Sequence, residues 1–440
     1  MTDSNLVILN LIRDFIENVH LEKMFIENKN HFTVDHSKLN FSRLVAFILN
    51  LPKKSVALEL EEFFSSIGKS DLACSKSAFT QQRSKLSYQF FSTLCANLVD
   101  ENYVHNKRNI KRWKKMILAA VDGSTMAMIN RADVINHFGT QVNQHGAVAM
   151  ARIMGVYDVL NNVSIACHLF PIDIGEQTII KNWLDVSQSD HLYLYDRGYP
   201  GFTTIFLHHQ QERTIPYVMR TKHGLNAKVR EFVDSKAKDA FIYLEADENH
   251  VAELFKLGCK IKKGTTIKVR AIKVKLKGGE IEILLTNLFD RNEYPHKVFK
   301  GLYIMRWGIE TNYNAQKNYL QIECFSGTKV NSILQDFYAA VFIGNLQSIL
   351  ANSCQSKIEK KTCRRKFKYK MNRNMAIGIM KNRIPNLILN RFPERTLKEI
   401  TQLQMKFYEP IRPGRSFSRI RKAKKLSGKY QTELNYKRAL

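Results

Sequence analysis

The run Met116–Val121, reading MILAAV and closing on Asp122-Gly123, constrains this chain more than any other stretch. It is apolar throughout, with no polar alternation, which is the pattern of a central strand buried on both faces. The expected fold class is therefore α/β. An aspartate at the end of such a strand sits where α/β sheets place functional groups. Taken alone, Asp122 is equally a turn residue ahead of a glycine.

The pattern occurs twice. His191–Tyr195 (HLYLY) is a second short strand and closes on Asp196, which precedes Arg197-Gly198-Tyr199-Pro200. A helix is expected from near Pro200, since proline suits the first helical turn. Asp196 by itself reads as a turn residue or a helix cap.

A third carboxylate follows in Tyr303–Lys317, YIMRWGIETNYNAQK. Tyr303, Arg306, Glu310 and Lys317 are spaced Y-x2-R-x3-E-x6-K. At ~100° per residue they fall within about 60° of one helix face. That face carries an aromatic ring, two cations and a carboxylate. The carboxylate suits a hard cation, the arginine and lysine suit phosphates, and the ring suits a nucleobase. The same residues on an isolated helix would be a solvated stripe of i,i+3 and i,i+4 pairs. Leu302, Met305 and Ile309 supply a separate apolar side, so the polar face is expected to be distinct from the packing face.

Two strand-end aspartates and a helix glutamate form a donor set for two divalent metals roughly 3.5–4 Å apart, as phosphodiester cleavage and strand transfer use. Asp122, Asp196 and Glu310 are the expected catalytic and metal-binding residues. Mg²⁺ fits an all-oxygen set, with Mn²⁺ able to substitute. Zinc is disfavoured, because no Cys/His set has suitable spacing. The seven cysteines include no C-x-x-C and are scattered, as expected of reduced thiols in a cytosolic protein.

VDGST around Asp122, YDRGYPGF around Asp196 and the Tyr303/Arg306/Glu310/Lys317 pattern resemble the DDE transposases of bacterial insertion sequences. The resemblance is nearest to the insertion sequence four family, whose signature is that Y-R-E-K spacing. Cys324–Leu346 also resembles the segment after that family's glutamate helix, and the likeness covers roughly Lys111 to Leu350. It implies an RNase H-like catalytic core, Mg²⁺ dependence and cut-and-paste movement of the element. It also implies a hairpin intermediate, with Tyr303 stacking on a displaced base and Arg306 and Lys317 clamping phosphates. Arg197 is a further expected phosphate contact. The implied partners are double-stranded DNA, as terminal inverted repeats and as target, and a second copy of the chain in a homodimer on DNA. The implied location is the bacterial cytoplasm. Another RNase H-like nuclease, or a transposase-derived DNA-binding protein without catalysis, are the alternatives.

Charge agrees with a nucleic-acid partner. The 440 residues carry a formal net charge of +28, and Lys357–Leu440 contributes 25 Lys/Arg against 5 Asp/Glu. Such a tail reads as a phosphate-binding surface, a solubilising tail or a segment attracted to an anionic membrane. No apolar run reads as long enough to span a bilayer, and no signal-peptide pattern opens the chain, so no membrane is expected.

The expected organisation has three parts. Residues 1–110 read as a helical DNA-binding domain, in which Ala57–Ile67 and the helix carrying Phe79, Arg83 and Leu86 resemble a helix-turn-helix. Residues 111–350 read as the RNase H-like core, entered through a basic linker at Lys107–Lys115 and holding a β-rich insertion at about 222–297. Residues 351–440 read as a basic helical region for DNA binding or dimerisation. An aromatic wedge in the insertion would fall to Phe289, Tyr294 or Phe299, because Trp113, Trp183 and Trp307 all lie outside it.

Overall fold

The apolar run does form the central strand. The computed structural model describes residues 4–28, 30–32, 37–143, 146–184, 188–210, 214–276 and 278–412. β1 (Ile117–Ala127) lies inside a mixed sheet. Its first five residues are at most 1% exposed, because both sheet faces are covered there. The strand continues past Asp122, so that residue is not at the strand's end as expected. The parallel ladder to β5 (His191–Tyr195), however, stops at the pair Val121↔Tyr195. Beyond it β1 pairs only with β3 (Gly146–Asp158), antiparallel. Asp122 and Asp196 thus both follow the last rung of the same parallel ladder.

The strands β2 (Thr140–Asn143), β4 (Val163–Pro171) and β6 (Tyr217–Thr221) complete one half of the sheet. β4 pairs with β3, and β6 runs parallel to β5. The β3–β4 turn forms at Asn161-Asn162, with Asn162 in the left-handed region at φ 57°, as asparagine tolerates. β7 (Asp239–Glu245), β8 (Thr266–Lys275) and β9 (Ile281–Thr286) come from the expected β-rich insertion. They do not stand apart: β9 pairs antiparallel with β6, and the order runs β2-β3-β1-β5-β6-β9-β8-β7. The architecture is a mixed α/β one with a large mixed sheet.

Helices cover both faces. α1 (Ser4–Glu17), α2 (Val19–Met24), α3 (Phe41–Leu49), α4 (Val56–Ser66), α5 (Lys76–Ser84) and α6 (Gln89–His105) precede the sheet. Ser75 caps α5 by accepting from the Ala78 N–H, which satisfies one of the donors a helix start leaves open. Leu86 falls beyond this helix. α7 (Ala132–Phe138), α8 (Glu176–Trp183) and α9 (Phe202–Gln210) lie among the strands. From the sequence these two helices read as Glu176–Val186 and Gly201–Gln211, and Val186 and Gln211 lie outside the described residues. α10 (Ala227–Asp234) and α11 (Glu248–Lys256) sit inside the β-rich insertion, where no helix was named from the sequence. Their polar-rich sequences are set by caps, Asn226 for α10 and an Asp247–His250 capping box for α11.

α12 (Val298–Ile304) and α13 (Gly308–Asn318) are separated by a 3₁₀ turn at Met305–Trp307. α14 (Val330–Thr362) follows, then α15 (Arg373–Met380), α16 (Ile384–Leu389) and α17 (Pro393–Gln404), with β10 (Tyr369–Met371) pairing β11 (Tyr408–Pro410). By length and composition α14 could cross a membrane, which corrects the expectation that no apolar run is long enough to do so. Its apolar window is wholly buried. α1, α3 and α6 share one apolar core with α14, α16 and α17 against one sheet face. Arg83 ties this layer to the start of α14 and the loop before it. Its side chain is 1% exposed and reaches Gln335, Ser326, the Ser332 carbonyl and Asp336 at 2.6–2.9 Å. The basic stretch RPGRSFSRIRKAKKLSGKYQ lies almost entirely outside the described residues.

Candidate carboxylate site at the end of the parallel strands

A tyrosine hydroxyl and two close glycine contacts seat the glutamate helix against the sheet. The Tyr313 hydroxyl, on α13, donates to the Asp122 carbonyl at 2.7 Å. It reaches that carbonyl across Gly155, the β3 residue paired with Asp122. A Cβ at Gly155 would stand 2.7 Å from the tyrosine oxygen. At the start of α13, Gly308 packs on Val159, whose Cγ1 would lie 3.0 Å from an added Cβ. A side chain at Gly155 would push the Tyr313 hydroxyl aside, and one at Gly308 would press on Val159.

The carboxylates then meet arginines. Arg306 is 1% exposed. Its Nη2 lies 2.6 Å from Glu310 Oε1 and its Nη1 3.4 Å from Asp122 Oδ2. Asp196 pairs with Arg220 Nη2 at 2.6 Å and accepts from the Tyr303 hydroxyl at 3.3 Å. Asp122 and Glu310 therefore share one guanidinium, while Asp196 is held by a second. No group of three His, Cys, Asp or Glu gathers as a metal-type cluster among the described residues. The Nε atoms of both Arg306 and Arg220 are buried without an acceptor among those residues.

A fourth carboxylate was not expected from the sequence. Glu176, at the start of α8, stands beside Asp122, and a Cβ on Gly123 would lie 2.4 Å from its Oε1. Arg152 Nη1 at 2.8 Å and the Tyr199 hydroxyl at 2.7 Å hold it. The available signal was the first tyrosine after the aspartate in YDRGYPGF, to which sequence alone assigns no role. Burial pushes the Asp122 carboxyl up to about 6; Arg306 and the Gly123 N–H pull down, and Glu176 and Glu310 add to the rise. Asp196 moves the other way. Burial raises it, but the Arg197 N–H, Arg306 and Arg220 outweigh burial and hold it below the usual range.

The Y-R-E-K residues do not form the single solvent-facing stripe expected. The 3₁₀ turn carrying Arg306 breaks the helix, and a 3₁₀ segment advances ~120° per residue rather than ~100°. The face so formed turns onto the sheet. Tyr303 is 3% exposed and packs among Leu118, Leu192 and Leu194. A ring so placed presents no open face to a base. Arg306 is occupied by the two acids. Lys317 stays at the rim, donating to the Thr125 carbonyl at 2.6 Å and pairing with Glu323 at 3.7 Å. Arg197 is exposed and its side chain makes no ion pair among the described residues. The exposed neighbours on this segment are apolar: Ile304 at 54% and Trp307 at 45%. Of the suggested wedge residues, Phe299 is fully buried, Tyr294 stacks on Trp113, and Phe289 packs on Phe241.

No protein-family profile matches the chain, and no curated protein matches it. Among solved structures, it is similar to a cryo-EM structure of a piggyBac transposase synaptic complex with hairpin DNA. The identity is 11% and the TM-score 0.43, over 93% of this chain and 87% of that one. A likeness this slight does not bear on activity.

Two outcomes follow from the geometry. Tyr303→Ala should cost about 3–5 kcal/mol of stability, as large-to-small core changes do, measured by urea denaturation; a loss below about 1 kcal/mol would show the ring to be dispensable to the core. For Asp122, the folded carboxyl binds its proton more tightly than the unfolded one, so stability falls as pH rises from about 4 to about 6. Asp122→Asn should therefore raise the melting temperature in chelator at about pH 7.5, by an equivalent of roughly 1–3 kcal/mol, and change it little at about pH 4. A lower melting temperature at the higher pH would contradict the burial penalty.

Proposed function

We propose that this chain is a DNA transposase resembling the insertion sequence four family, with an RNase H-like core that cuts and joins DNA phosphodiesters at Asp122, Asp196 and Glu310. The observation that carries this reading is the shared Arg306 bridge between Asp122 and Glu310, with Asp196 following the same parallel ladder. The strand order β4-β3-β1-β5-β6, antiparallel then parallel, supports an RNase H-like arrangement. The net charge of +28 supports a polyanionic substrate.

The donor chemistry fits divalent Mg²⁺ or Mn²⁺. The acids are hard oxygen ligands, burial leaves Asp122 reluctant to hold its charge alone, and a buried guanidinium already supplies positive charge between two of them. Asp122, Asp196 and Glu310 would hold the ions, which when bound activate an attacking oxygen and stabilise the leaving one. The chain's own groups do the rest. Tyr313 sets the Asp122 backbone, Arg152 and Tyr199 keep Glu176 oriented beside it, and Arg220 fixes Asp196. Lys317 and Arg197 stand at the rim for phosphates. Because Tyr303 is buried, the aromatic face for a displaced base falls to Trp307. The substrates are terminal inverted repeats and target duplex, handled by a homodimer in the bacterial cytoplasm, through a hairpin intermediate.

A supercoiled plasmid carrying the DNA that flanks the gene tests the proposal. The full chain with Mg²⁺ or Mn²⁺ should nick and linearise it. Asp122→Ala, Asp196→Ala and Glu310→Ala should each cut at least ~100-fold more slowly, with duplex affinity within about twofold of wild type. Cleavage unchanged in Asp122→Ala, or absent from the wild type with both metals, would overturn the reading.

A further inference from the structure

The basic linker between α6 and β1 is held more firmly than a connector requires. Lys107, Arg108, Lys111, Arg112, Lys114 and Lys115 are all exposed within nine residues. The Trp113 N–H donates to the Met116 carbonyl and the Met116 N–H returns the bond, at 2.8 and 2.9 Å. Lys114 and Lys115 are the two residues of this tight turn, at φ 45° and 72°. Turns with both central residues left-handed normally use Asn-Gly or similar pairs. Here two lysines occupy those positions, and the surroundings keep them there. Trp113 stacks on Tyr294 at 5.8 Å, the Lys114 ammonium lies 5.4 Å from the Tyr294 ring, and it also bonds the Glu293 carbonyl.

The upstream end is clamped as well. Asn161, 1% exposed, accepts from the Lys111 N–H and donates to the Lys111 carbonyl, both at 2.9 Å. Asn161 is itself fixed by the fully buried Asp158, which also accepts from the Tyr103 hydroxyl. Arg112 is paired with Asp190 at 2.9 Å. Lys107, Arg108, Lys111 and Lys115 make no side-chain ion pair among the described residues. Lys111 and Lys115 thus project from a backbone pinned at Lys111 and at the Trp113–Met116 turn, and Lys107 and Arg108 stand just upstream, after α6. The linker enters β1 at Ile117, about 17 Å by strand rise from Asp122, at the opposite end of the parallel ladder.

We infer that this linker is a second phosphate-binding face, one that grips the backbone of duplex DNA away from the carboxylate site. It rests on the proposed role of DNA as the partner, and not on catalysis. A rigid array of cations loses little freedom on binding, and a duplex presents a charge every ~1.7 Å of its axis. Asp190, Asp290 and Glu293 face the same region; Arg112 neutralises Asp190, and Lys114 lies beside the other two.

The test is the salt dependence of affinity for a duplex of about 40 base pairs and arbitrary sequence, by fluorescence anisotropy with the full chain in chelator. The variant Lys107→Gln/Arg108→Gln/Lys111→Gln/Lys115→Gln should flatten the log–log slope by about 0.9 for each phosphate no longer neutralised, at an unchanged melting temperature. Asn161→Ala, which keeps every charge but frees the clamp, should weaken binding while altering the slope by no more than about 0.9. An unchanged slope in the quadruple variant, while the wild type binds duplex, overturns the inference and spares the proposed function. No duplex binding by the wild type overturns both. Loss of binding to anionic phospholipid vesicles in the quadruple variant, with duplex binding retained, would assign the face to a membrane and also overturn it.

Discussion

The guanidinium of Arg306 is the interaction on which the candidate site depends. It is buried almost completely, and its two ends reach acids on different elements, Asp122 on the central strand and Glu310 on the helix that crosses it. Removing Glu310 would leave the buried cation with only the longer 3.4 Å contact to Asp122, which is costly. The bridge therefore holds the glutamate helix in register with the strand. The Tyr313 hydroxyl, passing over Gly155, adds a backbone anchor beside it. Together they set the spacing of the carboxylates before any ligand arrives.

The acids are held by two arginines, Asp122 and Glu310 by Arg306 and Asp196 by Arg220. A divalent ion that takes Asp122 and Glu310 must displace or share Arg306, and one that takes Asp196 must do the same with Arg220. Both arginines carry an Nε atom without an acceptor among the described residues, so each is incompletely satisfied where it stands. Such groups are costly to keep.

Much of this was legible in the sequence. Unbroken apolar runs identified β1 and β5, because a strand buried on both faces tolerates no polar alternation. The β-rich character of the insertion was equally plain. The face of the glutamate segment was not. A helical wheel assumes one continuous helix, and the 3₁₀ turn at Met305–Trp307 rotates Tyr303 into the core. Glu176 was invisible for a different reason. Its place beside Asp122 depends on a glycine at 123 and on how α8 docks after β4, which local patterning does not encode. The capped helices of the insertion were hidden by composition, since their stability comes from end residues more than from an apolar stripe.

The central claim is that three acids on three elements form one centre for divalent ions. Mn²⁺ titration of the full chain without DNA, followed by electron paramagnetic resonance, tests it most directly. The account predicts up to about two ions per chain, with binding lost in Asp122→Ala and in Glu310→Ala. Mn²⁺ binding by the wild type no stronger than by these two variants would contradict it.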